Sequence, residues 1–109
     1  MLFDVTQKLY DLHGEVLLED DDKTPLTARK ILEVALITRG QRESLSAEEQ
    51  VERFTLALRV ATEDQLDLTS AEIVKLTKWI AARSAPLVTG QLALLLEGKK
   101  GLGPDEPTD

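Results

Sequence analysis

From Leu26 onward, apolar residues recur along the chain at three- and four-residue spacing. Leu26, Ala28, Ile31, Leu32, Ala35 and Leu36 make one stripe. They predict an amphipathic helix opened by Thr24 as cap with Pro25 in the first turn, and stopped near Arg39–Gly40. A second helix starts at Ser46-Ala47-Glu48-Glu49, a capping-box sequence in which Ser and Glu satisfy each other's free backbone donors. Val51, Phe54, Leu58 and Ala61 form its stripe, widened by Leu56 and Val60. So broad an apolar arc predicts a central helix with neighbours on two sides.

Thr69-Ser70-Ala71-Glu72 is another capping box, with Leu68 and Ile73 at the positions of a hydrophobic staple. Ile73, Leu76 and Ile80 mark the core face of a third helix, with Val74 and Trp79 beside it. Pro86 lacks a donor and crowds the preceding turn, so the helix kinks or restarts there. Leu87, Val88, Leu92, Leu95 and Leu96 carry a last helix to Gly98. The N-terminal part has a different pattern: Asp11-Leu12-His13-Gly14 separates two β-compatible runs. Asp caps such a turn and Gly takes its left-handed position. A hairpin placing Phe3, Val5, Leu9 and Leu17 on one side is preferred over the competing helix from Val5 to Leu12. The predicted fold class is therefore α+β, mostly α: a short N-terminal β-hairpin followed by three to four packed helices. Residues 1–98 are expected to form a single compact domain and 99–109, rich in Gly, Pro and charge, a flexible tail.

The 109 residues are 42% hydrophobic and 30% charged, a globular balance. There is no cysteine, which removes disulfides, thiolate metal sites and thiol nucleophiles together. The net charge of −7 disfavours binding along a phosphate backbone or on an anionic membrane. Partners are expected to be proteins, or a second copy in a homodimer, with no nucleic acid and no membrane. With no apolar run near the about 20 residues of a membrane span and no visible signal peptide, a cytoplasmic location is expected.

Phe3-Asp4, the Asp11–Gly14 turn, Leu26-Thr27 with Ala35-Leu36, and Ser46-Ala47-Glu48-Glu49 followed by Arg53-Phe54 occur in a characteristic order. Leu56-Ala57-Leu58, Ala71-Glu72-Ile73 and Pro86-Leu87-Val88-Thr89-Gly90-Gln91 continue it. Over residues 3 to 97 the chain resembles a group of small proteins encoded by tailed bacteriophages and prophages. The Lys99–Asp109 tail departs from the typical member. The group carries no assigned activity, so the resemblance implies a phage origin, a host-cytoplasm location and a fold, not a mechanism.

Catalytic and ligand chemistry finds little footing. His13, the one histidine, falls at the hairpin tip, without the further Cys or His ligands a transition-metal site requires. Glu19-Asp20-Asp21-Asp22 is contiguous where a calcium loop alternates its ligands, and reads as solvated loop charge. Gly98, Gly101 and Gly103 beside Lys99 and Lys100 follow a helix instead of leading into one, which a phosphate cradle requires. Ser44, Ser46, Ser70 and Ser84 have no nucleophile elbow and no base in sight. Arg29, Lys30, Arg39, Arg53 and Arg59 line the first two helices as in a helix-turn-helix reader, but the Gly40–Leu45 connection is too long and the net charge opposes it. No cofactor and no enzymatic activity are expected.

The last helix is the strongest functional hint. Gly90 costs helix stability, which a close approach by another helix, inside the fold or across a subunit contact, would offset. With Leu94 on another face, the helix is apolar on nearly all sides, so it is either central or in contact with a partner. Trp79 fits the core or an interface anchor equally. The expected function is a non-catalytic phage-type protein-interaction module, for example an assembly or chaperone-like accessory factor. Its partner-binding face would comprise Trp79, Leu87, Val88, Gly90, Gln91, Leu92 and Leu95. The alternative is an acidic mimic of nucleic acid that inhibits a DNA-binding protein. Glu43, Glu48, Glu49, Glu52, Glu63, Asp64, Asp67 and Glu72 outnumber Arg53 and Arg59 over residues 43–72.

Overall fold

A computed structural model describes residues 2–38 and 44–99. The expected stop at Arg39–Gly40 and the tail from Lys100 onward lie outside the described residues. The fold is α+β and mostly helical: β1 (Leu2–Asp4), α1 (Ala28–Ile37), α2 (Ala47–Thr62), β2 (Gln65–Asp67), α3 (Ser70–Ala81) and α4 (Pro86–Leu96). The N-terminal turn forms as expected. The Asp11 carboxylate accepts from the His13 and Glu15 N–H groups at 2.8 and 3.0 Å, Gly14 is left-handed at φ 82°, and Tyr10 bridges to Val16 antiparallel. No helix forms over Val5–Leu12.

The regular ladder is elsewhere. β1 pairs antiparallel with β2, Phe3 opposite Leu66, so the first strand joins the α2–α3 connection, sixty residues away in sequence. Phe3, Val5 and Leu9 are fully buried and Leu17 packs against them, on the one side the alternation predicted. Thr24–Pro25 is not a helix start, which corrects the sequence reading. Pro25 bridges to Leu18, and the Thr24 hydroxyl donates to Asp21. Extended backbone continues to Thr27, which caps α1 by accepting from the Lys30 N–H. The reason is tertiary: the Leu26 N–H donates to Leu17, and the Ala28 and Arg29 N–H groups donate to the Gln7 and Val5 carbonyls at 2.9 and 2.8 Å. The first donors of α1, which no helix can satisfy internally, thus end on the N-terminal segment.

The other helix ends follow local chemistry. At α3 both halves of the capping box form: Glu72 N–H to the Thr69 hydroxyl at 3.1 Å and Thr69 N–H to the Glu72 carboxylate at 2.9 Å. At α2 only one half forms. Glu49 N–H donates to the Ser46 hydroxyl at 3.1 Å, while the Glu49 carboxylate accepts from that hydroxyl and not from backbone. Pro86 opens α4 as its first residue, a restart after α3. Beyond α4, Gly98 is left-handed at φ 80°. The Gly98 N–H reaches the Leu95 carbonyl and the Lys99 N–H the Leu94 carbonyl, the bond pair of a Schellman motif.

The core joins Phe3, Leu9, Leu32, Leu56, Val60, Leu66, Leu76, Ile80, Leu92 and Leu96 from every element. Here α2 departs from expectation. Its buried residues are Arg53, Leu56, Ala57 and Val60, whereas Val51, Phe54, Leu58 and Ala61, the expected stripe, are exposed. Both arcs of α2 are apolar, and α1 covers the one centred on Val60.

The acidic loop organises itself. The Asp21 carboxylate accepts from the Lys23 and Thr24 N–H groups, each at 2.9 Å, and from the Thr24 hydroxyl. These bonds favour the ionised form, the Thr24 hydroxyl most, and hold Asp21 down from 3.8 to about 2. Its folded value is depressed, so its contribution to stability is present above pH 3.8 and is lost as pH falls toward about 2. In acid titrations of folding followed by circular dichroism, Asp21→Asn should flatten the loss of stability within that window and leave the profile above it unchanged in shape.

Candidate functional site

The residues expected to form a partner face on α4 separate into two groups. Trp79, at 8% exposure, Gln91 and Leu92 are interior. Leu87, Val88 and Leu95 are half-buried against the core, and Gly90 is exposed. These seven therefore do not make one open surface. Only Leu94 among the large apolar residues of α4 is exposed.

Gln91 accounts for much of this. Its Oε1 accepts from the Tyr10 N–H at 3.0 Å, and its Nε2 donates to the Tyr10 carbonyl at 2.7 Å and to Leu87 O at 3.0 Å. The side-chain amide thus acts as one peptide unit of a missing strand, holding the Tyr10 backbone to α4. A Cβ built at Gly90 meets nothing within 4 Å, so no close helix approach inside the fold explains it.

Trp79 lies beneath Arg53. The guanidinium carbon sits 4.7 Å from the ring centroid, a cation–π contact that ties α2 to α3 with both side chains buried. The other described arginines of the first two helices are equally occupied. Arg29 donates to Val60 O at 2.8 Å, to Glu63 O at 3.0 Å and to the Asp64 carboxylate at 2.6 Å, satisfying carbonyls at the C-terminal end of α2. Arg59 pairs with Glu72 at 3.1 Å and donates to Asp67 O at 2.8 Å. Glu52 pairs with Lys75 at 2.7 Å. Arg39 lies outside the described residues.

A groove with mostly apolar walls lies on the other side of α2. Leu36 and Ile37 from α1, Leu45 before α2, and Val51, Arg53 and Phe54 line a groove of about 410 Å³. Beside it Ile37 is 67% exposed, Val51 65%, Phe54 60% and Leu58 50%. Sequence reasoning found these α2 residues but assigned them to the core. A signal was present in the two distinct apolar arcs of α2, of which one neighbour can cover only one.

A second cleft, between Leu18–Asp21 and α1, is lined by Lys30 and Glu19, which face each other at 3.8 Å, with Asp21 turned onto its own loop. His13 is exposed at its turn. Among the described residues no group of three or more acidic, His or Cys side chains is placed to hold a metal ion, and no helix is long and apolar enough to cross a membrane. Compared with protein-family models, with curated proteins and with solved structures, the chain gives no match.

Two substitutions on α4 have opposite expected signs. Gln91→Ala leaves the part-buried Tyr10 peptide without its Gln91 partners and should cost about 1–3 kcal/mol. Gly90→Ala adds a methyl group into open space on a helix and should stabilise by about 0.5–1 kcal/mol. Urea denaturation of each variant against the parent reads both.

Proposed function

We propose that this chain is a non-catalytic protein-interaction module of phage type, an assembly or accessory factor acting in the cytoplasm. The observation that carries the interaction reading is the set of exposed apolar residues Ile37, Val51 and Phe54 at one groove, with the exposed Leu58 one turn beyond Phe54 on α2. Side chains of this size lose favourable burial when left in water, and a contiguous patch of them marks a docking surface more often than isolated exposed residues do. The phage origin and the location rest on the sequence resemblance and on charge. The non-catalytic character rests on residue types: no cysteine, and a single histidine at a loop tip.

The docking face in this reading lies on α2 and the end of α1, in place of the α4 face suggested by sequence. The acidic-mimic reading has less support. Glu52, Glu63, Asp64 and Glu72 each face a Lys or Arg within 4.0 Å, so at least half of the acids counted over residues 43–72 are neutralised locally.

Immobilised chain incubated with an extract of its source cells should retain a protein that a bait carrying Ile37→Ser and Val51→Ser does not. Val74→Ser removes an apolar side chain equally exposed on α3, and that bait should retain it fully. Equal retention by all three baits overturns the assignment of the face.

A further inference from the structure

The exposed arc of α2 has internal order. Ala47, Val51, Phe54, Leu58 and Ala61 follow one another at spacings of four, three, four and three residues, the repeat of a helix seam that meets another helix. All five are exposed. Their sizes run small, medium, large, medium, small, nearly the same in either direction about Phe54. A two-fold axis through Phe54 would lay Val51 of one helix beside Leu58 of the other, and Ala47 beside Ala61, letting the helix ends approach closely. A symmetric contact of this type requires one patch that complements itself, and this seam does.

Charge selects the same occupant. From Gln50 round through the seam to Thr55, about 140° of the helix at 3.6 residues per turn carries no charged side chain. Two copies of a chain with net charge −7 repel wherever their acidic surfaces meet, and this strip lets them touch without placing carboxylate on carboxylate. A basic amphipathic partner helix, by contrast, would find a single α2 carboxylate, Glu48, flanking the seam to pair with. The three large seam residues and Ile37, half to two-thirds exposed, offer on the order of 400 Å² of apolar surface per copy. With the small flanking residues, that approaches the lower range of specific interfaces and fits a weak, concentration-dependent contact.

We infer that the Ala47–Ala61 face of α2 pairs with the same face of a second copy, antiparallel about Phe54. This rests on the interaction reading above and names its partner.

The chain has no cysteine, so introduced thiols report the geometry cleanly. Light scattering over a concentration series should show the mass rising toward twice the 12.1 kDa monomer. Phe54→Glu, which sets two carboxylates on the axis, should weaken the dimer by about tenfold or more, while Leu94→Glu on α4 should not. Circular dichroism and melting should match the parent for both variants, since neither residue is in the core. On mild oxidation Phe54→Cys should cross-link with itself. Ala47→Cys should not, yet a mixture of Ala47→Cys and Ala61→Cys protein should. A monomer at every concentration overturns the self-pairing, and if the Ile37→Ser, Val51→Ser bait still loses its retained protein, the interaction reading survives with a different partner. A dimer insensitive to Phe54→Glu, or one in which Ala47→Cys cross-links with itself, overturns the proposed face or its direction.

Discussion

Three leucines close a ring of backbone hydrogen bonds. Leu9 N–H donates to Leu26 O at 2.9 Å, Leu26 N–H to Leu17 O at 2.7 Å, and Leu17 N–H to Leu9 O at 2.8 Å. The first twenty-seven residues contain one three-residue strand and no helix, so their buried peptide groups cannot be satisfied by long ladders. Unpaired, each would cost about 1–3 kcal/mol. The ring disposes of three donors and three acceptors at the point where the segment crosses the core, and Gln91 supplies the next pair at Tyr10. β2 takes the strand end, and the opening turn of α1 takes Val5 and Gln7. Every helix is positioned against this segment or against a helix that is.

Arginine does the corresponding work between helices. Arg29 closes the C-terminal end of α2, Arg53 stacks on Trp79, and Arg59 bridges to Glu72 and the Asp67 carbonyl. Arg53 is withdrawn from the surface, whereas Arg29 and Arg59 each neutralise a carboxylate there. The uncharged arc of α2 stands out against this charged exterior.

Local signals were legible where local chemistry decides. The Thr69–Glu72 box, the restart at Pro86, the Asp11–Gly14 turn and the α1 stripe from Ala28 to Leu36 all appear as their residue types require. What was not legible depends on distant partners. Thr24–Pro25 has the chemistry of a helix start, but Leu17 and Gln7 hold the backbone extended for three residues more. Nothing near Gln65–Asp67 announces a strand, because its mate is β1. Gln91 looked like part of an apolar face, and its role depends on a peptide eighty-one residues away. On α2 periodicity identified apolar positions correctly but could not say which of two arcs the core would take, so the candidate surface was read as interior.

The closure through Gln91 also bears on how the chain comes together. Synthesis delivers residues 2–27 before α1, yet their partners outside the segment lie in α1, at Asp64–Asp67 and at Gln91. During elongation, α1 and α2 can pair while this segment, its internal leucine ring apart, still waits for β2, Asp64 and Gln91. Non-local pairings of this kind form after local ones, because the intervening loop must be closed before the contact is gained. A segment made before the helices it packs on is thus among the last to be fixed, and it completes its set of bonds only when α4 is in place.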